Sequence, residues 1–199
     1  MQRPTLAILA FLMAGCGMQP ENPLVGPARS GDAHSIRTLL AQGADPNQTW
    51  GVNGWTPLMH AVHKNQKASV EALLAGGADV NARGGKGITA LMMAAGYGYA
   101  DTVQVLLKHG ADPYAETSDG DSALAAAVSG VPDIDKFTVG HCQIETVRAL
   151  LAKAPDLKLK DNFYGRAARM AASAAGCGDV LALIDRKRPS AEHSNRGQV

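Results

Sequence analysis

The sequence has few aromatic residues, few cysteines and almost no net charge. Aromatics are 5% of 199 residues, with two Trp, four Tyr and three Phe, so large rings cannot fill an extended core. Three cysteines are too few for a disulfide-scaffolded domain. The formal charge of +1 gives no electrostatic footprint for nucleic acid. Long apolar runs are missing too: Leu6-Ala7-Ile8-Leu9-Ala10-Phe11-Leu12 falls short of the ~20 residues that span a bilayer as a helix. The patterns GxSxG, HExxH and CxxC do not occur, and nothing else points to a catalytic constellation or a bound cofactor.

What is abundant is recurrence. Gly54, Gly87 and Gly120 are 33 apart, as are Thr56, Thr89 and Ser122, and the Gly-Ala-Asp triplets beginning at Gly43, Gly77 and Gly110 are spaced 34 and 33. A fixed period of this length signals a stacked array. Thr56-Pro57-Leu58 has the form of a helix start, with a capping hydroxyl followed by Pro at the first helical position. Leu58, Ala61 and Val62 follow at helical spacing, and Val70, Leu73 and Leu74 give a second helix one apolar face. That face recurs as Val103, Leu106, Leu107 and as Val147, Leu150, Leu151. Gly77 and Gly110 then stand where a left-handed residue closes a helix. The predicted unit is helix, tight loop, helix and a projecting turn.

The segment Gly54-Trp55-Thr56-Pro57-Leu58-Met59-His60-Ala61-Val62, followed by Leu73-Leu74-Ala75-Gly76-Gly77-Ala78-Asp79-Val80-Asn81-Ala82, resembles the ankyrin repeat, G-x-T-P-L-H-x-A-A and L-L-x-x-G-A-D-V-N-A. The resemblance implies an all-α solenoid of about five stacked helix-loop-helix units with hairpin-like turns. Their spans are about 28–49, 50–83, 84–116, 117–160 with an insertion at 129–141, and 161–188, followed by a flexible tail at 189–199. The fifth unit has Ala167 where the capping Thr is expected and Arg169 where Leu is expected. The family resemblance also implies a monomer that binds another protein on a concave face.

The first residues form a second pattern. Arg3, the apolar run and Ala14-Gly15 have the layout of a secretory signal. With Cys16 directly after it, Leu12-Met13-Ala14-Gly15-Cys16 resembles the bacterial lipobox, L-[AS]-[GA]-C, with Met13 where Leu is usual. This implies a signal peptide at 1–15, acylation of Cys16, a flexible tether at 16–27 and anchoring through lipid. Gly17 in place of Asp favours the outer membrane. Loss of residues 1–15 removes Arg3 and leaves acidic and basic side chains balanced. Cys142 and Cys177 are placed by the period in loops of adjacent units, and exported chains meet conditions in which disulfides persist. A bond between them and two separate small side chains are both compatible with that placement.

In ankyrin-like stacks partners meet the hairpin tips and the exposed ends of first helices. Carried over, those places hold Trp50, Val52, Asn53, Trp55, His63, Lys64, Arg83, Lys86, Ile88, Tyr97, Asp119, Asp121, Phe163, Tyr164 and Arg166. Five of the few aromatics fall there, and large aromatics with Arg dominate binding hot spots. His60 and His63 could share a helix face, but no third ligand joins them by pattern, so no metal is expected. Gly84-Gly85-Lys86-Gly87 lacks the pattern of a phosphate loop and is placed as a hairpin tip. The alternative is an enzyme or metal-handling protein that uses Asp133, Asp135, His141 and Cys142 of the insertion.

Overall fold

The computed structural model describes residues 22–130 and 143–185. Among them are ten helices in five pairs. They are α1 (Val25–Ser30) with α2 (Ala33–Ala41), α3 (Pro57–His63) with α4 (Lys67–Ala75), α5 (Ala90–Gly96) with α6 (Ala100–Lys108), α7 (Ala123–Ser129) with α8 (Ile144–Lys153), and α9 (Phe163–Ala174) with α10 (Gly178–Asp185). Each helix packs on its own partner and on its counterpart in the adjoining unit, so the pairs stack in chain order. No helix among the described residues is long and apolar enough to cross a membrane.

The first helices begin where the sequence places caps. Thr56, Thr89 and Ser122 accept hydrogen bonds through their hydroxyls from the backbone N–H groups of Met59, Met92 and Ala125, at 3.4, 3.3 and 3.2 Å. Such a cap contributes about 1 kcal/mol by satisfying a free donor at the helix end. Behind each cap one leucine and one alanine, Leu58 with Ala61, Leu91 with Ala94 and Leu124 with Ala127, are fully buried between units.

Adjacent units are also tied at both ends of the repeat. On the turn side, Asn47 Oδ1 accepts from the Asp79 N–H at 2.7 Å, and Asn81 repeats this with Asp112 at 2.8 Å while its Nδ2 donates to the Gly110 carbonyl at 3.1 Å. The next residue in that series is Tyr114, whose hydroxyl donates to Asp156 instead. At the hairpin tips, the Gly85 N–H donates to the Asn53 carbonyl at 2.7 Å and the Ser118 N–H to the Lys86 carbonyl at 2.8 Å.

Three boundaries differ from expectation. The first unit starts before Ala28, because Leu24 and Val25 are fully buried and α1 begins at Val25. Asn22 fixes this start: its Nδ2 donates to the Gln48 carbonyl at 2.8 Å, and its Oδ1 accepts from the Leu24 N–H at 2.9 Å. Residues 22–27 are thus part of the folded stack rather than of the tether. Ser129 ends α7 instead of opening the insertion, and its hydroxyl donates back to the Ala125 carbonyl at 2.8 Å. In the fifth unit Asn162, not Ala167, caps the first helix, accepting from the Gly165 N–H at 2.8 Å. The helix gains more than a turn, and Ala167 lies inside it. Gly165 makes this possible, since a Cβ there would stand 2.0 Å from the Lys160 carbonyl oxygen.

The cross-unit asparagines yield a stability test. Asn81→Ala removes two bonds between the second and third turns and should lower the unfolding free energy by about 1–2 kcal/mol. Urea titration followed by circular dichroism measures it, and an unchanged midpoint would show that these bonds add nothing net.

Candidate protein-binding surface

The hairpin before α3 is closed by the Trp50 N–H donating to the Trp55 carbonyl at 2.9 Å, with Gly51 and Gly54 left-handed in the turn. That closure brings both indoles beside α3, where His60 and His63 lie one turn apart. The His60 ring centroid is 6.1 Å from Trp50 and 5.4 Å from Trp55, the latter edge-to-face. His63 continues the series, 5.3 Å from Trp55 and 5.6 Å from Tyr97, and its Nδ1 is 3.0 Å from the Tyr97 hydroxyl. Tyr97 then stacks on Tyr99 at 5.5 Å. Six rings from two units form one connected series, each contact of a kind worth about 0.5–1.5 kcal/mol beyond area burial. Trp55 is also fixed from below, because a Cβ at Gly84 would be 3.0 Å from its Cδ1 and 3.2 Å from the Met59 sulfur.

His60 occupies the centre of this series. Its Nε2 is buried and has no hydrogen-bond partner among the described residues. Burial lowers its pKa to about 4, with further lowering from the Arg29 charge and from His63. Among the described residues no group of three His, Cys, Asp or Glu could hold a metal ion.

The other expected surface residues divide by environment. Val52 stands at a hairpin tip at 104% exposure, and Asn53 beside it is exposed while its carbonyl bonds the next tip. Lys64 is exposed at the end of α3. Arg83 donates to the Glu116 carbonyl at 2.7 Å, and Lys86 lies 3.8 Å from Asp119. Asp121 accepts from the Ser122 N–H at 2.8 Å, while burial raises its pKa. Ile88 departs from expectation, since it packs against the core rather than projecting. Phe163, Tyr164 and Arg166 occupy the first turn of the lengthened α9 rather than a hairpin tip. Phe163 is exposed, Tyr164 packs on the core edge-to-face with it, and Arg166 pairs with Asp161 at 2.9 Å. Cys16, Cys142, Asp133, Asp135 and His141 lie outside the described residues. The sequence reading missed His60 and Tyr99 as members of the ring series. Tyr99 gave one signal, its place two residues after Tyr97.

Two family models match the chain, both for ankyrin repeats: one of three copies over residues 2–84, and one of many copies over residues 73–127. The chain carries ankyrin repeats. Its repeats are 38% identical over 86 residues to the ankyrin repeat protein nuc-2 of Neurospora crassa, covering 43% of this chain and 8% of that one. They are 34% identical over 77 residues to a mouse 2-5A-dependent ribonuclease, covering 39% and 10%, and that match involves only the repeats. The Drosophila melanogaster ARF GTPase-activating protein Git is 39% identical over 82 residues, covering 41% and 11%. The chain spans about a tenth of the length of these relatives. Ankyrin repeats are in general non-enzymatic modules for binding other proteins.

His60 makes the stability of this ankyrin stack depend on pH. Its folded pKa of about 4 lies below the ordinary histidine value of 6.5, so the unfolded chain takes up the proton first as pH falls. The contribution is intact above pH 6.5 and is lost progressively down to about pH 4. Denaturant midpoints measured across that window should fall less steeply in His60→Gln than in the wild type. Parallel slopes would show that His60 does not carry the effect.

Proposed function

We propose that the chain is a lipid-anchored protein of the bacterial periplasm that holds a partner protein against its hairpin tips and first helices. In this reading it acts as a scaffold, a protective partner or an immunity-type inhibitor, and not as an enzyme. The observation that carries it is the connected ring series from Trp50 to Tyr99 in a sequence with so few aromatics. The repeat core does not require these rings: the buried leucine, alanine and valine positions recur without them. The rings stand at the edge of that seam, half-buried, with Trp55 and Tyr97 resting one side on the core; the side left open suits partner contact, where tryptophan and tyrosine supply large area at low entropic cost.

The anchor rests on the lipobox-like ending at Cys16, and the outer membrane on Gly17 after it. Two or more acyl chains on one residue would hold the protein durably, at about 0.8 kcal/mol per buried methylene. We also propose a disulfide between Cys142 and Cys177. Cys177 is 3% exposed in the loop before α10 and its sulfur is bonded, which supports the pairing once Cys16 is assigned to acylation. A link between the fourth unit and the last, which has one neighbour only, would contribute about 2–4 kcal/mol.

Trp50→Ala and Tyr97→Ala should each weaken partner binding by about 2 kcal/mol or more at a temperature well below unfolding, although Tyr97→Ala, which also loses its contacts to His63, Tyr99 and the core, should lower the melting temperature. Affinity and melting read on the same samples test this, and unchanged affinity in both variants removes the surface. For the anchor, Cys16→Ser should release the protein from the membrane fraction or stall its processing. The mass of unreduced peptides from the same preparation should reveal a Cys142–Cys177 link. Wild-type fractionation of the variant, or two free thiols, defeats the corresponding assignment.

A further inference from the structure

The tips of the second and third units carry two residues that the fold alone does not favour. Val52 is fully exposed, an apolar β-branched side chain on a turn where polar residues cost less. Lys86 is left-handed, with φ of 60° and ψ of 14°, between two glycines that adopt such a conformation without strain. A non-glycine residue there costs roughly 1–2 kcal/mol, and strained residues of this kind persist where function uses them. The backbone holds Lys86 in that state, because its carbonyl accepts from both the N–H and the hydroxyl of Ser118 at 2.8 and 3.2 Å. Its ammonium is left outside, 81% exposed and only 3.8 Å from Asp119.

The charge carried by these two tips themselves has one sign, with Asp119 of the next tip paired to Lys86. Residues 50–66 and 83–99, which supply the tips, the first helices and the ring series of both units, contain Lys64, Arg83 and Lys86 but no Asp or Glu. Arg29 of α1 adds a cation close enough to act on His60. The acids of these units lie elsewhere: Glu71 and Asp101 on the second helices, Asp79 and Asp112 in the far turns, where they accept from the Asn81 and Tyr114 N–H groups, and Glu116 at the end of the third unit, where its carboxylate pairs with Lys160. Only at the tip of the fourth unit do Asp119 and Asp121 appear.

We infer that the edge formed by Val52, Lys86, Lys64 and the neighbouring Trp50 binds an acidic segment of a partner protein that inserts an apolar or aromatic side chain among the rings. The inference rests on the reading of this edge as the binding surface, and adds the chemistry of what it binds. Cations at the rim set encounter and register, whereas the indole supplies the buried contact.

The test uses the full-length chain and a displayed library of random peptides about twelve residues long. Selected peptides should carry Asp or Glu next to Leu, Phe or Trp. A synthetic copy should bind at least about tenfold more weakly when NaCl is raised from about 50 to 500 mM, because salt screens exposed charges. Lys86→Asn, which tolerates the left-handed backbone, should reduce binding about tenfold without lowering the melting temperature, and Lys86→Arg should restore it. Asp119→Asn should strengthen binding by removing an acid from the rim. Basic or uncharged peptides that still depend on Trp50 would overturn the acidic chemistry while leaving the surface in place. Failure to select any peptide, or selected peptides indifferent to Trp50→Ala and Lys86→Asn, would overturn the surface and this inference together. Loss of melting temperature in Lys86→Asn would place the lysine in the service of the fold instead.

Discussion

Every unit depends on a seam of apolar side chains that it cannot close by itself. Ile36, Val70, Val103, Val147 and Val180 occupy one place in successive second helices, and each is at most 1% exposed. Leu73, Leu106 and Leu150, one turn further on, are fully buried, whereas Leu39 of the first unit is only partly covered. The difference is geometric: an inner unit has a neighbour on each side and the first has one. Stability in such an array is a sum of unit and interface terms, and the ends are its weakest members. The buried Asn22 at one end and the lengthened α9 at the other are additions made where a neighbour is missing.

The seam also explains what was legible in the sequence. Capping hydroxyls, buried leucines and closing glycines recur because each acts within its own unit, so their spacing marks it directly. Asn47 and Asn81 recur as well, but their bonds reach the backbone of the following turn, and their role emerges only when the turns are set side by side. Asn162 was missed for another reason. Ala172 follows Ala167 by five residues, as Ala61 follows Thr56, so alignment on Ala172 placed the cap at Ala167, whereas added helix carries the beginning back to Asn162. Gly165, whose missing side chain admits the Lys160 carbonyl, was the local sign of that extension.

The candidate surface was legible by exclusion. Rare rings concentrated at positions that neither cap a helix nor fill the repeated seam marked the tips and the ends of the first helices, although Trp55 and Tyr97 rest partly on the core. His60 escaped that reasoning, because its spacing from His63 was weighed only as a metal pair and set aside, and its neighbours, two indoles, come from a hairpin several residues earlier. Ile88 shows the opposite error, since a residue beside a tip can still turn its side chain to the core.

The concentration of both tryptophans in one hairpin gives the protein an intrinsic optical label. Trp50 and Trp55 are the only two in the chain, and both touch the same imidazole. Indole emission from the native protein therefore arises from the second unit alone, and protonation of an adjacent histidine ring is a known route to its quenching. A change in that emission reports what happens at this edge, and unfolding confined to the fifth unit, which holds no tryptophan, is left to circular dichroism to detect.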